Sequence, residues 1–172
     1  DYGVGNLNPT NNPLITFDVL LEDYISDGKA YGWGFSNYIG EGYGDPGPSI
    51  DVYFRHSTAP DVWDVVLREV DSGGTESTSV YHHTDSDLDT QLWITVTWKG
   101  SSLVCYIYDD SAKTNLVGME SLTLQSAAYS FRYGYALRSS NESLSGRAIT
   151  YTVTDLKLND SDSKDLFAKF YV

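Results

Sequence analysis

The chain has 172 residues, 41% of them hydrophobic and 14% aromatic, which suits one domain with a continuous core and argues against disorder. Its 24 acidic against 11 basic residues give a net charge of −13 with no Lys/Arg cluster, so nucleic acid is not an expected partner. No apolar run reaches the ~20 residues of a membrane-spanning helix, and no membrane span is expected.

In chain order, Ile15, Phe17, Val19 and Leu21 alternate with Thr16, Asp18, Leu20 and Glu22, predicting a strand over 14–22. The next strand, 29–36, contains Tyr31-Gly32-Trp33-Gly34-Phe35, whose alternation predicts rings on one face and nearly bare backbone on the other. Further strands are expected over 50–55, 62–70, 76–82, 91–98, 103–109, 116–124, 129–137 and 148–158. Turn-forming clusters such as Asp45-Pro46-Gly47-Pro48, Asp71-Ser72-Gly73-Gly74 and Lys99-Gly100-Ser101-Ser102 separate them. The strand 129–137 carries a second ring-and-glycine alternation, Phe131-Arg132-Tyr133-Gly134-Tyr135-Ala136. About ten strands without a long helical period predict an all-β antiparallel β-sandwich of two sheets, a single domain over 1–172. Alternation assigns Phe17 and Phe54 to its core. The tail at 163–172 places Leu166, Phe167, Phe170 and Tyr171 at helical spacing but is also strand-like, so a short helix or an added strand is expected there.

The segment Leu92-Trp93-Ile94-Thr95-Val96-Thr97-Trp98-Lys99-Gly100-Ser101-Ser102-Leu103-Val104-Cys105-Tyr106-Ile107-Tyr108 resembles the strand-turn-strand hairpin of concanavalin A-like (laminin G-like) jelly rolls. The run Ala148-Ile149-Thr150-Tyr151-Thr152-Val153-Thr154-Asp155-Leu156-Lys157-Leu158 is similar to their last strand, where an Asp-Leu-x-Leu ending is frequent. The sequence departs from that pattern at Asp109-Asp110-Ser111, where such domains normally turn through Asn-Gly. The resemblance implies a curved sandwich with Trp98 in its core and a concave face of the kind used for glycan binding, and alternation places Val96, Leu103 and Leu156 inside as well. Fold alone does not assign that function.

No catalytic constellation emerges. The Glu-x-Asp-x-x-Glu run that glycosidases on this type of sandwich share is missing. Glu69 with Asp71 is read as a solvated strand end before a Gly-Gly turn. His82 and His83 point to opposite faces of a strand and cannot share a metal without a bulge. Cys105, the sole cysteine, sits in an apolar run and is expected to be a buried, inert thiol. The best metal candidate is Asp85, Asp87 and Asp89, carboxylates at every second position of an acidic loop suited to calcium; Asp160, Asp162 and Asp165 form a weaker second candidate.

Four tryptophans and 14 tyrosines exceed what a core of this size needs, and exposed rings stack on the weakly apolar faces of sugars. Tyr31, Trp33, Tyr53 and Trp63, with Arg55 as a planar donor, form the expected carbohydrate-binding set. The expectation is a non-catalytic, extracellular carbohydrate-binding module whose partner is a polysaccharide or glycan. One alternative is a self-assembling structural subunit of a filament, surface layer or virion, polymerising through its C-terminal tail. Another is a polysaccharide-active hydrolase or lyase.

Overall fold

The computed structural model describes residues 7–10, 14–25, 29–37, 48–56, 62–84, 90–135, 138–140, 148–159 and 165–166. Its strands are β1 (Leu14–Ile25), β2 (Lys29–Ser36), β3 (Ser49–His56), β4 (Val62–Val70), β5 (Glu76–Thr84), β6 (Thr90–Lys99), β7 (Ser102–Tyr108), β8 (Leu116–Thr123), β9 (Tyr133–Tyr135), β10 (Arg138–Ser140), β11 (Ala148–Asn159) and β12 (Asp165–Leu166). They form two antiparallel sheets. The first runs β12-β11-β1-β6-β7-β8 and the second β10-β2-β3-β4-β5, with β9 also paired to β2. The protein is thus an all-β sandwich, with strands close to those the sequence predicts.

The first sheet shows how sequence sets register. On β6, Leu92, Ile94, Val96 and Trp98 face the core while Gln91, Trp93, Thr95 and Thr97 face outward. On β7, Leu103, Cys105 and Ile107 point inward. Lys99 pairs with Ser102, which leaves Gly100-Ser101 as a two-residue turn. Gly100 takes φ 58°, open to glycine without steric cost at the first position of such a turn. Trp98 Nε1 donates to the Gly100 carbonyl at 3.0 Å, tying the core indole to that turn.

Between the sheets lies one cluster that includes Phe17, Trp33, Phe35, Phe54, Trp63, Trp98 and Phe131. Burying each such ring contributes about 1.5–3 kcal/mol. Leu156 packs against this cluster while remaining partly exposed.

The second sheet departs from simple alternation. A register shift between Tyr31 and Trp33 puts both Gly32 and Trp33 toward the core and leaves Tyr31 on the outer face. The expected single row of rings over 31–35 is therefore split between two faces by a bulge, which inserts one residue and reverses the alternation beyond it. The expected strand over 129–137 is also divided. Phe131 forms an isolated bridge with Leu7, and β9 and β10 pair with the two halves of β2 on either side of the bulge. In the tail, Leu166 and Asp165 pair with Leu158 and Asn159; the rest of 163–172 lies outside the described residues.

Along one side the sheets are joined by side chains. The Tyr81 hydroxyl donates to the Val117 carbonyl at 2.6 Å, and Ser79 hydrogen-bonds Glu120, linking β5 to β8.

Candidate functional site

Strand register arranges the outer face of the second sheet in rows. Lys29, Arg55, Asp64 and His82 lie opposite one another across β2 to β5. The next row is Tyr31, Tyr53, Val66 and Val80, and the one after that is Gly34, Asp51, Arg68 and Thr78. Three members of the expected carbohydrate set, Tyr31, Tyr53 and Arg55, thus meet on one face. Trp33 and Trp63 do not join them: at 1% and 2% exposure they belong to the inter-sheet core, where neither indole can serve as a platform for sugar.

Nor are the two tyrosines open. Their rings lie 5.3 Å apart, and the Arg68 guanidinium sits 5.3 Å from the Tyr31 ring and 5.4 Å from the Tyr53 ring. Arg68 grips Asp51 with two hydrogen bonds, Nε to Oδ1 at 3.0 Å and Nη2 to Oδ2 at 2.6 Å, while Nη1 reaches Glu76 at 3.4 Å. Lys29 Nζ lies 5.2 Å from the Tyr53 ring. Burial raises the Tyr53 phenol well above its ordinary range, against the pull of Arg55 and Arg68, so it stays protonated. The expected set therefore resolves into a packed polar layer, in which the hydrogen-bonded Arg68–Asp51 pair braces the sheet.

The accessible end of this face is the first row. Asp64, nearly buried, accepts from Arg55 Nε at 2.9 Å and lies 2.6 Å from His82 Nδ1, with 39% of the Arg55 side chain and 66% of the His82 side chain exposed. His83 turns the other way, toward the Tyr81 ring, as the alternation predicts. Glu69 is not a solvated strand end. It is fully buried on the core side of β4 and accepts the Gln125 amide at 2.8 Å. Asp71 instead closes the β4–β5 turn, accepting from the amides of Gly73 and Thr75. The calcium candidates Asp85, Asp87 and Asp89 lie outside the described residues, as do Asp160 and Asp162; of Asp165 the structure gives only its backbone pairing in β12. Among the described residues no group of three or more His, Cys, Asp or Glu side chains is placed to hold a metal.

The open aromatic surface lies on the other sheet. Asp18, Trp93, Tyr108 and Leu116 form one register row across β1, β6, β7 and β8; Thr16, Thr95, Tyr106 and Met119 form the next. Trp93, Tyr106 and Tyr108 are half-buried, and Met119 is 55% exposed. Directly opposed and diagonal positions on neighbouring strands put the three ring-bearing Cβ atoms within about 5–8 Å of one another. Hydroxyls of Thr16, Thr95 and Thr97 share this face. Trp93 stands directly opposite Asp18 across the β1–β6 pairing. Burial raises the Asp18 carboxyl above its usual range and Asp155 adds to this, while Lys113, Lys157 and the neighbouring Trp93 side chain oppose it. Burial likewise lowers the Lys113 ammonium. The expected set omits Trp93, Tyr106 and Tyr108. The signal was nonetheless present, since Trp93 stands an odd number of residues from the inward Trp98 and must point outward.

No protein-family model matches this sequence, and no curated protein matches it either. Solved structures do match. The enzymatically active domain of tailspike protein 2 from bacteriophage CBA120 aligns over 91% of this chain and 23% of its own length, at 14% identity and a TM-score of 0.54. The CBM2 module of the evolved Dit protein of Lactobacillus casei BL23 phage J-1 aligns over 88% of this chain and 65% of its own, also at 14% identity and a TM-score of 0.54. The chain therefore spans under two thirds of the length of each, and what it shares with them is the β-sandwich fold.

Proposed function

We propose that the protein is a non-catalytic, extracellular carbohydrate-binding module that holds a neutral or weakly charged polysaccharide on the outer face of its first sheet. The observation that carries this reading is the group of Trp93, Tyr106 and Tyr108, half-exposed rings at adjacent register positions amid threonine hydroxyls. Rings stack on the C–H faces of sugars, and flanking polar groups bind their hydroxyls. The net charge of −13 disfavours polyanions. A sandwich of related fold serves as the CBM2 module of a phage protein, and the concanavalin A-like hairpin resemblance over 92–108 agrees with that use.

Affinity electrophoresis through gels containing individual polysaccharides tests the proposal. The protein should be retarded by at least one neutral polysaccharide, without release of reducing ends. Trp93→Ala should weaken that binding by about 1–3 kcal/mol, roughly five- to 150-fold in Kd, with an unchanged circular dichroism spectrum. Migration unaffected by every polysaccharide would overturn the reading. A second reading, a self-assembling subunit, draws on exposed Leu116 and Met119 at edge strand β8. Concentration-dependent polymers in sedimentation velocity, with no glycan retention, would favour it.

A further inference from the structure

Next to Trp93 the backbone adopts two conformations that a plain sandwich does not require. Among the described residues, the non-glycine positions with left-handed φ are Lys113 at 55° and Asp155 at 51°. Asp tolerates this region; for lysine it costs roughly 1 kcal/mol or more and persists only where surrounding structure holds it.

The β7–β8 turn supplies that hold. Lys113 N–H donates to the Asp110 carbonyl at 3.0 Å, and the Asp110 carboxylate accepts from Thr114 N and Oγ1 and from Asn115 N. Asp109 in turn accepts from Asn115 Nδ2. The effect is to lay the Lys113 ammonium back across β6, where it donates to the Ile94 carbonyl at 3.2 Å and to Thr95 Oγ1 at 3.4 Å. An ammonium has three donors, and among the described residues these two bonds are the ones it makes.

The other left-handed residue arrives on the same spot by a bulge. Thr16 pairs with Lys157 and Asp18 with Thr154, so Asp155 and Leu156 together stand opposite Phe17. This extra residue keeps Leu156 against the core while Thr154, Asp155 and Lys157 all stay exposed. Asp18, Lys113, Asp155 and Lys157 consequently surround one end of the aromatic platform as two carboxylates and two ammonium groups within electrostatic reach of one another.

We propose that this cluster is the selective end of the glycan site, reading adjacent hydroxyls of a neutral sugar residue stacked on Trp93. Carboxylates accept hydrogen bonds from neighbouring hydroxyls, and the Lys113 ammonium donates to a hydroxyl or ring oxygen. The balanced charge of the four groups leaves no net attraction for a uronate or sulfate. This proposal rests on the carbohydrate-binding reading above and assigns its ligand class.

The test compares the unaltered protein with Lys113→Met, Asp155→Gly and Trp93→Ala by titration against a panel of neutral, carboxylated and sulfated polysaccharides, with thermal melts alongside. The unaltered protein should prefer neutral members. Lys113→Met and Asp155→Gly should each lose about tenfold or more in affinity, the scale of one hydrogen bond to a charged group. Because glycine relieves a left-handed backbone, Asp155→Gly should melt no lower than the original; weaker binding at undiminished stability is a signature that a structural role would not give. If both variants bind as the unaltered protein does while Trp93→Ala fails, this inference is overturned and the module reading stands. A preference of the unaltered protein for the charged polysaccharides overturns it too. If the unaltered protein binds no member, the module reading falls and this inference with it.

Discussion

Gly32 offers a severe test of how the core is packed. A Cβ at this position would lie 2.6 Å from Phe17 Cε2 and 2.8 Å from Phe54 Cε2. Carbon atoms prefer separations of about 3.5–4.0 Å, so Gly32→Ala requires the rings to retreat by roughly 1 Å. Both rings are fully buried and meet edge to face at 6.3 Å between centroids, so neither can swing into solvent. Overpacking of this kind costs about 1–3 kcal/mol, while the stiffer unfolded chain of alanine returns about 0.4–1 kcal/mol. The net destabilisation should be about 1–2 kcal/mol, a fall of about 2–8 °C in Tm for a domain of this size. Guanidinium unfolding followed by tryptophan fluorescence should show a lower midpoint at unchanged slope. Adding Phe54→Leu should recover at least about 0.5 kcal/mol relative to the sum of the single changes. A Gly32→Ala midpoint equal to or above that of the unaltered protein would refute this account of the bulge and of the core beneath it.

Other predictions concern the second sheet and the thiol. Asp51→Ala strands the Arg68 guanidinium beneath Tyr31 and Tyr53 and should cost about 3–5 kcal/mol by urea unfolding; a loss under about 1 kcal/mol would show the pair to be dispensable. Cys105 is fully buried, and burial pushes its thiol from the ordinary 9.0 up to about 12, so iodoacetamide at pH 8 should label the protein only once it is unfolded. The unfolded thiol ionises first as pH rises, so this group should erode stability between pH 9 and about 12, by up to ~1.4 kcal/mol per unit. Cys105→Ala should remove that part of the slope, as measured by chemical unfolding across the alkaline range.

The β6–β7 hairpin was legible because three local signals agree: strict alternation, a glycine at the turn and a tryptophan that closes it. The orientation of Trp93 was present in the same alternation. What sequence could not carry was anything decided by a distant partner. The bulge after Tyr31 leaves no mark on composition, yet it moves one ring of the Tyr31-Gly32-Trp33-Gly34-Phe35 run to the opposite face. Glu69 reads as a polar strand end until Gln125, 56 residues on, supplies the amide that lets its carboxylate be buried. Arg68 and Asp51 likewise become a buried pair only when β3 and β4 align. Lys113 was invisible as a site residue because its position depends on a left-handed turn built by Asp110.

The place of β1 constrains how the chain can be made. β2 to β5 form a run of neighbouring hairpins, and β6 to β8 form another, so each can pair soon after leaving the ribosome. β1 is the first of these strands to emerge, yet it sits between β6 and β11, with Ile25 opposite Ala148 and Leu14 opposite Asn159. One edge of the first sheet therefore stays unpaired until β11 has been made. Such long-range closure slows folding, and an exposed strand edge invites pairing with a neighbouring nascent chain. Truncation within β11 should consequently yield aggregates rather than a smaller folded domain.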